Sequence, residues 1–354
     1  MQKEWLKKLG FQEMTEVQKQ VIPMLQASSH LCVTSPTGTG KTHAFLVPLL
    51  SKVTPGKGLQ ALILAPTSVL SKQLSEMANH FFKAMDSSLQ VKHLKSQTDK
   101  QGPQEIMVAT PFQVLDAVTH HHVMHLKTVH TVIIDEADMM LDQGFIHDLE
   151  KLFSLIKDAQ VGVFSATMHP QLMPLLKKSF HPLKVVDLNP KLLSESALKS
   201  RFLYMEKDRR MDGLLRLLND IQPFFAIVFG STKKEVDEIY KTLKPLKKNV
   251  EMLSGDLTQR ERNQIIKKAR NYEIQYLVAS DIAARGMDLP DVSHVINISL
   301  PKDPSYFIHR IGRTARIGKP GMAVTFYDRD EKPYFDKLKL YGFEVDITKK
   351  DVNA

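Results

Sequence analysis

The stretch Leu31-Cys32-Val33-Thr34-Ser35-Pro36-Thr37-Gly38-Thr39-Gly40-Lys41-Thr42 constrains this chain more than any other. It opens apolar, as a buried strand does, turns through Gly38 and Gly40, and runs into Ala44–Leu50, which reads as a helix. That is the setting of a phosphate-binding loop. Glycines let the backbone turn tightly and bring its N–H groups close to an anion, and the helix N-terminus adds partial positive charge. Thr37, Gly38, Thr39 and Gly40 form the cradle, Lys41 reaches the outer phosphates, and the Thr42 hydroxyl is placed to hold Mg2+. The general pattern begins with Gly where this chain has Ser35. A strand, a turn, Lys-Thr and a helix in that order imply a nucleoside triphosphate as ligand.

A chain of 354 residues predicts two domains of ordinary size. With 43% hydrophobic and 25% charged residues it has ample core for both. Lys and Arg number 48 against 39 Asp and Glu, and the net charge of +9 points to a polyanionic partner. A single cysteine, Cys32, excludes a disulfide framework and a cysteine metal cluster. No run is long and apolar enough to span a membrane, and residues 1–5 lack the apolar core of a signal peptide. The expectation is a cytoplasmic, reducing environment.

Residues 3–27 read as helix, turn, helix, broken at Gly10, with Thr15 and Gln18 spaced as a capping box. Short apolar runs then alternate with helical stretches: Leu31–Thr34, Ala61–Leu64, Ile106–Ala109, Val132–Ile134 and Val161–Phe164. This pattern predicts a parallel sheet covered on both faces, with ligands at the carboxyl ends of its strands. Periodicity stops near 187–200, and a second series follows at Arg201–Met205, Phe224–Phe229, Val250–Leu253, Tyr276–Ala279, Val295–Ile298 and Met322–Phe326. The expected organisation is an α/β domain over 1–190, a linker over 191–199, and a second α/β domain over 200–354. His120, His121, His122 and His125 invite a metal reading, but a solvated helix face is favoured, with no carboxylate partner at ligand spacing.

Val132-Ile133-Ile134 ends in Asp135-Glu136-Ala137-Asp138. Asp135 is placed to hold Mg2+ through water, and Glu136 to orient and polarise the attacking water. The next strand ends in Ser165-Ala166-Thr167. In the second half, Phe229-Gly230-Ser231-Thr232 follows a strand. After it come Gln259-Arg260-Glu261-Arg262, the run Ser280 to Asp288, and His309-Arg310-Ile311-Gly312-Arg313-Thr314-Ala315-Arg316.

In motif content and order, over essentially its whole length, the chain resembles the DEAD-box family of ATP-dependent RNA helicases, of bacterial type and close to the minimal core. The resemblance implies two tandem RecA-like domains, each a mostly parallel sheet flanked by helices, with ATP and Mg2+ as cofactors. It implies that Gln18 reads the adenine edge, that Phe11 packs on the base, and that Gly286 and Asp288 contribute to the ATP site. Asp138, Ser165, Thr167, His309 and Arg310 would couple hydrolysis to RNA binding. Pro66, Thr67, Thr110, Gln259, Arg262 and Ser280 would contact RNA. Arg313 and Arg316 would be arginine fingers, since a planar, permanently charged guanidinium neutralises charge growing on a transferred phosphoryl group. With Lys41 on one domain and the arginines on the other, the site would be complete only when the domains close, which couples ATP and RNA reciprocally. The implied activity is local separation of short RNA duplexes or remodelling of RNA–protein complexes, with hydrolysis for release. The alternative is an RNA clamp or ribosome-assembly factor with little strand separation. A monomer is expected, with ribosomal or RNA-turnover proteins as partners.

The chain departs from the family at the RNA-facing motifs. Pro66-Thr67-Ser68-Val69-Leu70 stands for Pro-Thr-Arg-Glu-Leu, and Thr110-Pro111-Phe112-Gln113 for Thr-Pro-Gly-Arg. No Gly-Gly pair lies between them, where Lys92–Gln97 runs instead. Ser68 and Gln113 are therefore expected at the RNA groove in place of arginines, giving weaker phosphate contacts. The adenine motif keeps only Thr15 and Gln18, within Met14-Thr15-Glu16-Val17-Gln18.

Overall fold

The computed structural model describes residues 4–95, 104–156, 158–189, 198–246, 249–284, 292–314, 321–340 and 343. The chain divides into two compact units, the first made of residues up to Ser35 and Thr39–Asn189, the second taking up the described residues from 198 on.

The first unit carries β1 (His30–Thr34), β2 (Ala61–Leu64), β3 (Val91–His93), β4 (Ile106–Ala109), β5 (Thr131–Ile134), β6 (Gln160–Ser165) and β7 (Leu183–Asp187). They form one sheet in the order β3-β4-β2-β5-β6-β1-β7, parallel throughout. Its helices are α1 (Glu4–Lys8), α2 (Glu16–Gln26), α3 (Lys41–Lys52), α4 (Ser68–Ala84), α5 (Pro111–Thr119), α6 (Ala137–Asp142), α7 (Ile146–Leu155) and α8 (Leu172–Ser179). The central strands are buried along their whole length, as continuous Val, Ile and Leu runs require when helices cover both faces. The five apolar runs read from the sequence are all strands here. The reading missed β3 and β7. Both are edge strands, and β7 (Leu-Lys-Val-Val-Asp) is mostly exposed, so neither shows an unbroken apolar run.

The second unit carries β8 (Leu198–Tyr204), β9 (Ala226–Phe229), β10 (Val250–Leu253), β11 (Tyr276–Ala279), β12 (His294–Asn297) and β13 (Gly321–Tyr327). They form a parallel sheet in the order β10-β11-β9-β12-β13-β8. Its helices are α9 (Arg210–Ile221), α10 (Lys233–Leu243), α11 (Gln259–Arg270), α12 (Asp281–Ala284), α13 (Pro304–Ile311) and α14 (Pro333–Leu340). Leu198 and Lys199, read as the end of the linker, already pair with Gly321 and Met322, so the second sheet begins earlier than expected. Lys191–Ala197 lie outside the described residues.

Two local expectations can be checked in the backbone. Thr15 and Gln18 form the capping box of α2, each side chain accepting from the other's backbone N–H. The histidine cluster is not a helix face. Helix α5 stops at Thr119 with His120 as its C-cap, and His122 takes a left-handed turn conformation. A carboxylate partner is also present, because His120 Nδ1 lies 2.8 Å and His121 Nε2 3.4 Å from Asp116. Asp116 sits four residues before His120, within reach around one helical turn. Among the described residues, no helix is long and apolar enough to cross a membrane.

Candidate nucleotide site

Strands β5, β6 and β1 are neighbours, so the loops leaving their carboxyl ends meet. The loop after β1 is the phosphate-binding loop. Gly38 and Gly40 have φ of 76° and 90°, the left-handed conformation that glycine adopts without strain. Gly40 is required on a second count, because a Cβ there would lie 2.6 Å from Gln18 Nε2. Gly40 precedes the first turn of α3, which presents Lys41, Thr42 and His43. Lys41 is buried, and its Nζ donates to Ser35 O at 2.8 Å. Ser35, where the general motif has Gly, is fully buried, and its hydroxyl bonds that of Thr39 across the loop.

Gln18 is buried, its Oε1 accepting from Thr15 N–H and its Nε2 donating to Gly40 O at 3.2 Å. The residue expected to read adenine thus also touches the phosphate loop. Phe11 lies on the connection between α1 and α2 and is 46% exposed.

After β5, Asp135 and Glu136 turn the chain into α6. Glu136 has φ of 53° and ψ of 51°, a left-handed conformation rare for a residue with a side chain and of the kind that clusters at functional sites. In this turn its N–H donates to Asp135 Oδ1 at 3.1 Å. Loss of hydration, then the neighbouring Glu136 charge, pushes the Asp135 carboxyl up to about 7, with Lys41 pulling it down. The Asp138 charge adds a smaller upward push.

Asp138 is fully buried at the start of α6 and ties this loop to the one after β6. Its Oδ2 accepts from Thr167 N–H at 2.8 Å and from the Thr167 hydroxyl at 2.6 Å. The Ser165 hydroxyl accepts from Asp138 N–H and donates to Thr167 O. The structure therefore brings together Asp138, Ser165 and Thr167, which the sequence places 27 and 29 residues apart.

Strands β2 and β4 are also neighbours, and Pro66, Thr67 and Thr110 follow them. Thr67 and Thr110 are the N-caps of α4 and α5. Ser68 is exposed on the first turn of α4. Gln113 is not at a groove. It is buried, its Oε1 accepting from Thr110 N–H and its Nε2 donating to Leu94 O at 3.0 Å, just past β3. The expectation that Gln113 faces RNA is thus corrected, since it closes a capping box and bridges two elements. Phe112 beside it is 50% exposed.

In the second unit Arg310, on α13, is fully buried and bonds within its own domain. It makes a bidentate pair with Asp281, with Nη2 to Oδ2 at 2.8 Å, and donates to Asn297 Oδ1, Ser299 O and Ser231 Oγ. Its guanidinium stacks over Phe229, 4.9 Å from the ring centre. One arginine thereby knots together the loops after β9, β11 and β12. The sequence reading missed Asp281 as its partner. The signal was a carboxylate directly after Ser280 at a strand end. His309 is buried beside it, and Arg313 is half-buried just past α13. The Ser280 hydroxyl accepts from Ala283 N–H. Arg262 Nη2 donates to Gly255 O at 2.9 Å. Gln259 opens α11, and its side chain lies outside the described residues, as do Gly286, Asp288 and Arg316.

The arrangement defines a P-loop nucleoside triphosphatase built of two parallel α/β domains. The DEAD/DEAH box helicase pattern matches residues 15–174, and the helicase conserved C-terminal domain matches residues 209–318. The DEAD-box ATP-dependent RNA helicase CshB of Bacillus subtilis is 36% identical over 350 residues, covering 96% of this chain and 80% of that protein. CshA of Bacillus licheniformis is 37% identical, covering 92% and 68%. The solved structure of Saccharomyces cerevisiae Dbp5 bound to RNA and ADP BeF3 superposes with a TM-score of 0.83 at 30% identity, covering 97% of this chain and 91% of that one. The chain belongs to the DEAD-box family of ATP-dependent RNA helicases, with tandem RecA-like domains.

Proposed function

We propose that this chain couples ATP binding and hydrolysis to the remodelling of RNA, through the residues of the first-unit loops and the arginines of the second. Lys41 and the N–H groups of the loop from Thr37 to Thr42 hold the triphosphate. Thr42 and Asp135 hold Mg2+, which neutralises charge on the phosphate oxygens. A hydroxyl and a carboxylate oxygen are donors that suit a hard cation. Glu136 accepts the proton of the attacking water, and its left-handed turn sets the direction of its side chain. Arg313 and Arg316 act as fingers on the transferred phosphoryl group. Gly286 and Asp288 complete nucleotide binding, while Thr67, Thr110, Gln259, Arg262 and Ser280 take the RNA side. Arg310 acts by holding three second-domain loops in register.

The observation that carries this reading is the bonding of Asp138 to Thr167 and Ser165. It joins the loop bearing Glu136 to the next strand's loop, so a change at one displaces the other. The test is the ATPase rate of wild type and Glu136→Gln with RNA, DNA or no nucleic acid. RNA should stimulate the wild type most, through contacts to 2′-hydroxyls and backbone shape. Equal stimulation by DNA would point to a general single-strand translocase.

The buried Gln113 and exposed Phe112 favour a second reading, an RNA clamp or ribosome-assembly factor with little strand separation. Without an arginine at 113, the first domain grips RNA phosphates less. Strand displacement measured beside ATPase separates the two. We assign a monomer working in the cytoplasm with ribosomal or RNA-turnover partners, on the resemblance to bacterial relatives.

A further inference from the structure

We propose that His43 is a positioning residue that fixes the ring of Phe11 for stacking on the base of ATP, and ties that ring to the helix that holds the phosphates. The inference rests on the reading that Phe11 packs on adenine.

Phe11 lies on a connection with no regular structure, beside Gly10 in a left-handed conformation. Its backbone is anchored by Phe11 N–H donating to Leu6 O at 2.8 Å, but that bond does not orient the ring. Two side chains meet it. The Trp5 ring lies 6.2 Å away at 65°, and the His43 ring 5.4 Å away at 73°, both edge-to-face. His43 is the centre of the group. It stacks on Trp5 at 6.0 Å and 15°, and meets Phe81 of α4 at 5.8 Å and 64°. Phe81 and Trp5 are fully buried, so His43 is held from two sides while Phe11 stays open at the rim.

His43 follows Lys41 and Thr42 directly, in the first turn of α3. Gln18 touches the residue before that turn, through Gly40 O. Both proposed base contacts are therefore referenced to the same turn that carries the proposed phosphate ligands. A ring held in place before binding loses no rotamer freedom when the base arrives, so the brace adds affinity without new contacts to ATP.

The experiment uses the full chain and steady-state, RNA-stimulated ATPase. His43→Ala should raise KM for ATP about three- to tenfold, as expected for one or two aromatic pairs, with kcat essentially kept. The inhibition constant of inorganic tripolyphosphate, which has no base, should not move. His43→Phe should restore KM. Trp5 is the chain's single tryptophan, so its emission reports on the cluster. ATP should change it, tripolyphosphate should not, and the ATP response should vanish in Phe11→Ala. If His43→Ala does not fold, His43→Leu keeps the bulk without the flat ring and answers the same question. An unchanged KM in His43→Ala, or an equal loss for ATP and tripolyphosphate, overturns the brace. If Phe11→Ala raises KM while His43→Ala does not, the base-packing reading survives and the brace alone fails. If Phe11→Ala leaves KM unchanged, the base-packing reading itself is wrong.

Discussion

The loops after β1, β5 and β6 and the loops after β2 and β4 start from one geometry, the carboxyl end of a parallel strand in a single sheet. In the first group the polar groups bond within their own loop or from one loop to the next. Lys41 sits over the phosphate loop, Glu136 holds a strained turn, and Asp138 links two loops through Thr167. The second group has turned inward. Gln113 bonds Thr110 and Leu94, and the carbonyl it reaches lies in the segment where the family's Gly-Gly pair is missing. The two segments that depart from the family pattern are thus joined by a hydrogen bond. Position in the fold makes a site available, and the side chain's bonding partners decide whether it is used.

The largest effect is expected at Arg313→Ala, with kcat down about 10³- to 10⁵-fold if it acts as an arginine finger. ATP affinity should change little, and a rate within tenfold of wild type would remove the finger role. Lys41→Ala and Glu136→Gln should each lower kcat at least about 10²-fold. Glu136→Gln should still bind ATP and RNA in equilibrium titrations.

Asp138→Asn comes next. It alters a fully buried carboxyl that accepts from Thr167 N–H, the Thr167 hydroxyl and Met139 N–H, and should destabilise the first domain by about 1–3 kcal/mol while weakening RNA stimulation of the ATPase. Unchanged stimulation would mean that the Asp138–Thr167 link serves only the fold. Gln113→Ala should cost about 1–2 kcal/mol in denaturant unfolding by removing the cap partner and the bridge to Leu94, with KM for ATP unmoved. Loss of RNA affinity without loss of stability would erase the difference between the two groups of loops. The smallest effect is expected from Ser68→Arg. Ser68 is exposed on the first turn of α4, so an arginine there can reach a phosphate. RNA binding should tighten a few-fold and its salt slope steepen by about one unit. An unchanged slope would mean that this turn does not face RNA.

Much of the site was legible in the sequence because the chemistry is local. Gly38, Gly40, Lys41 and Thr42 are contiguous, and so are Asp135, Glu136 and Asp138, each group at the end of an apolar run. Single residues with a fixed geometric requirement, such as Gly40 against Gln18, also leave a readable mark. Gln113 misled because a polar residue in the place of a ligand looks like a weakened ligand, whereas its bonds go to Thr110 and to a carbonyl 19 residues away. The histidine cluster misled because the helix ends at Thr119, before the first of the four histidines.

Two series of short apolar runs, the phosphate loop, the paired carboxylates and the family are all readable in the amino-acid order. These rest on hydrophobic periodicity and on residues adjacent in the chain, which need no knowledge of neighbours. The pairings across long loops belong to the tertiary fold. It placed Thr167 on Asp138, knotted Arg310 to Asp281, Asn297 and Ser231, gathered Trp5, Phe11, His43 and Phe81 into one cluster, and turned Gln113 into the core. A side chain's partner depends on strand order and on where a helix begins, and neither quantity is carried by the residue itself.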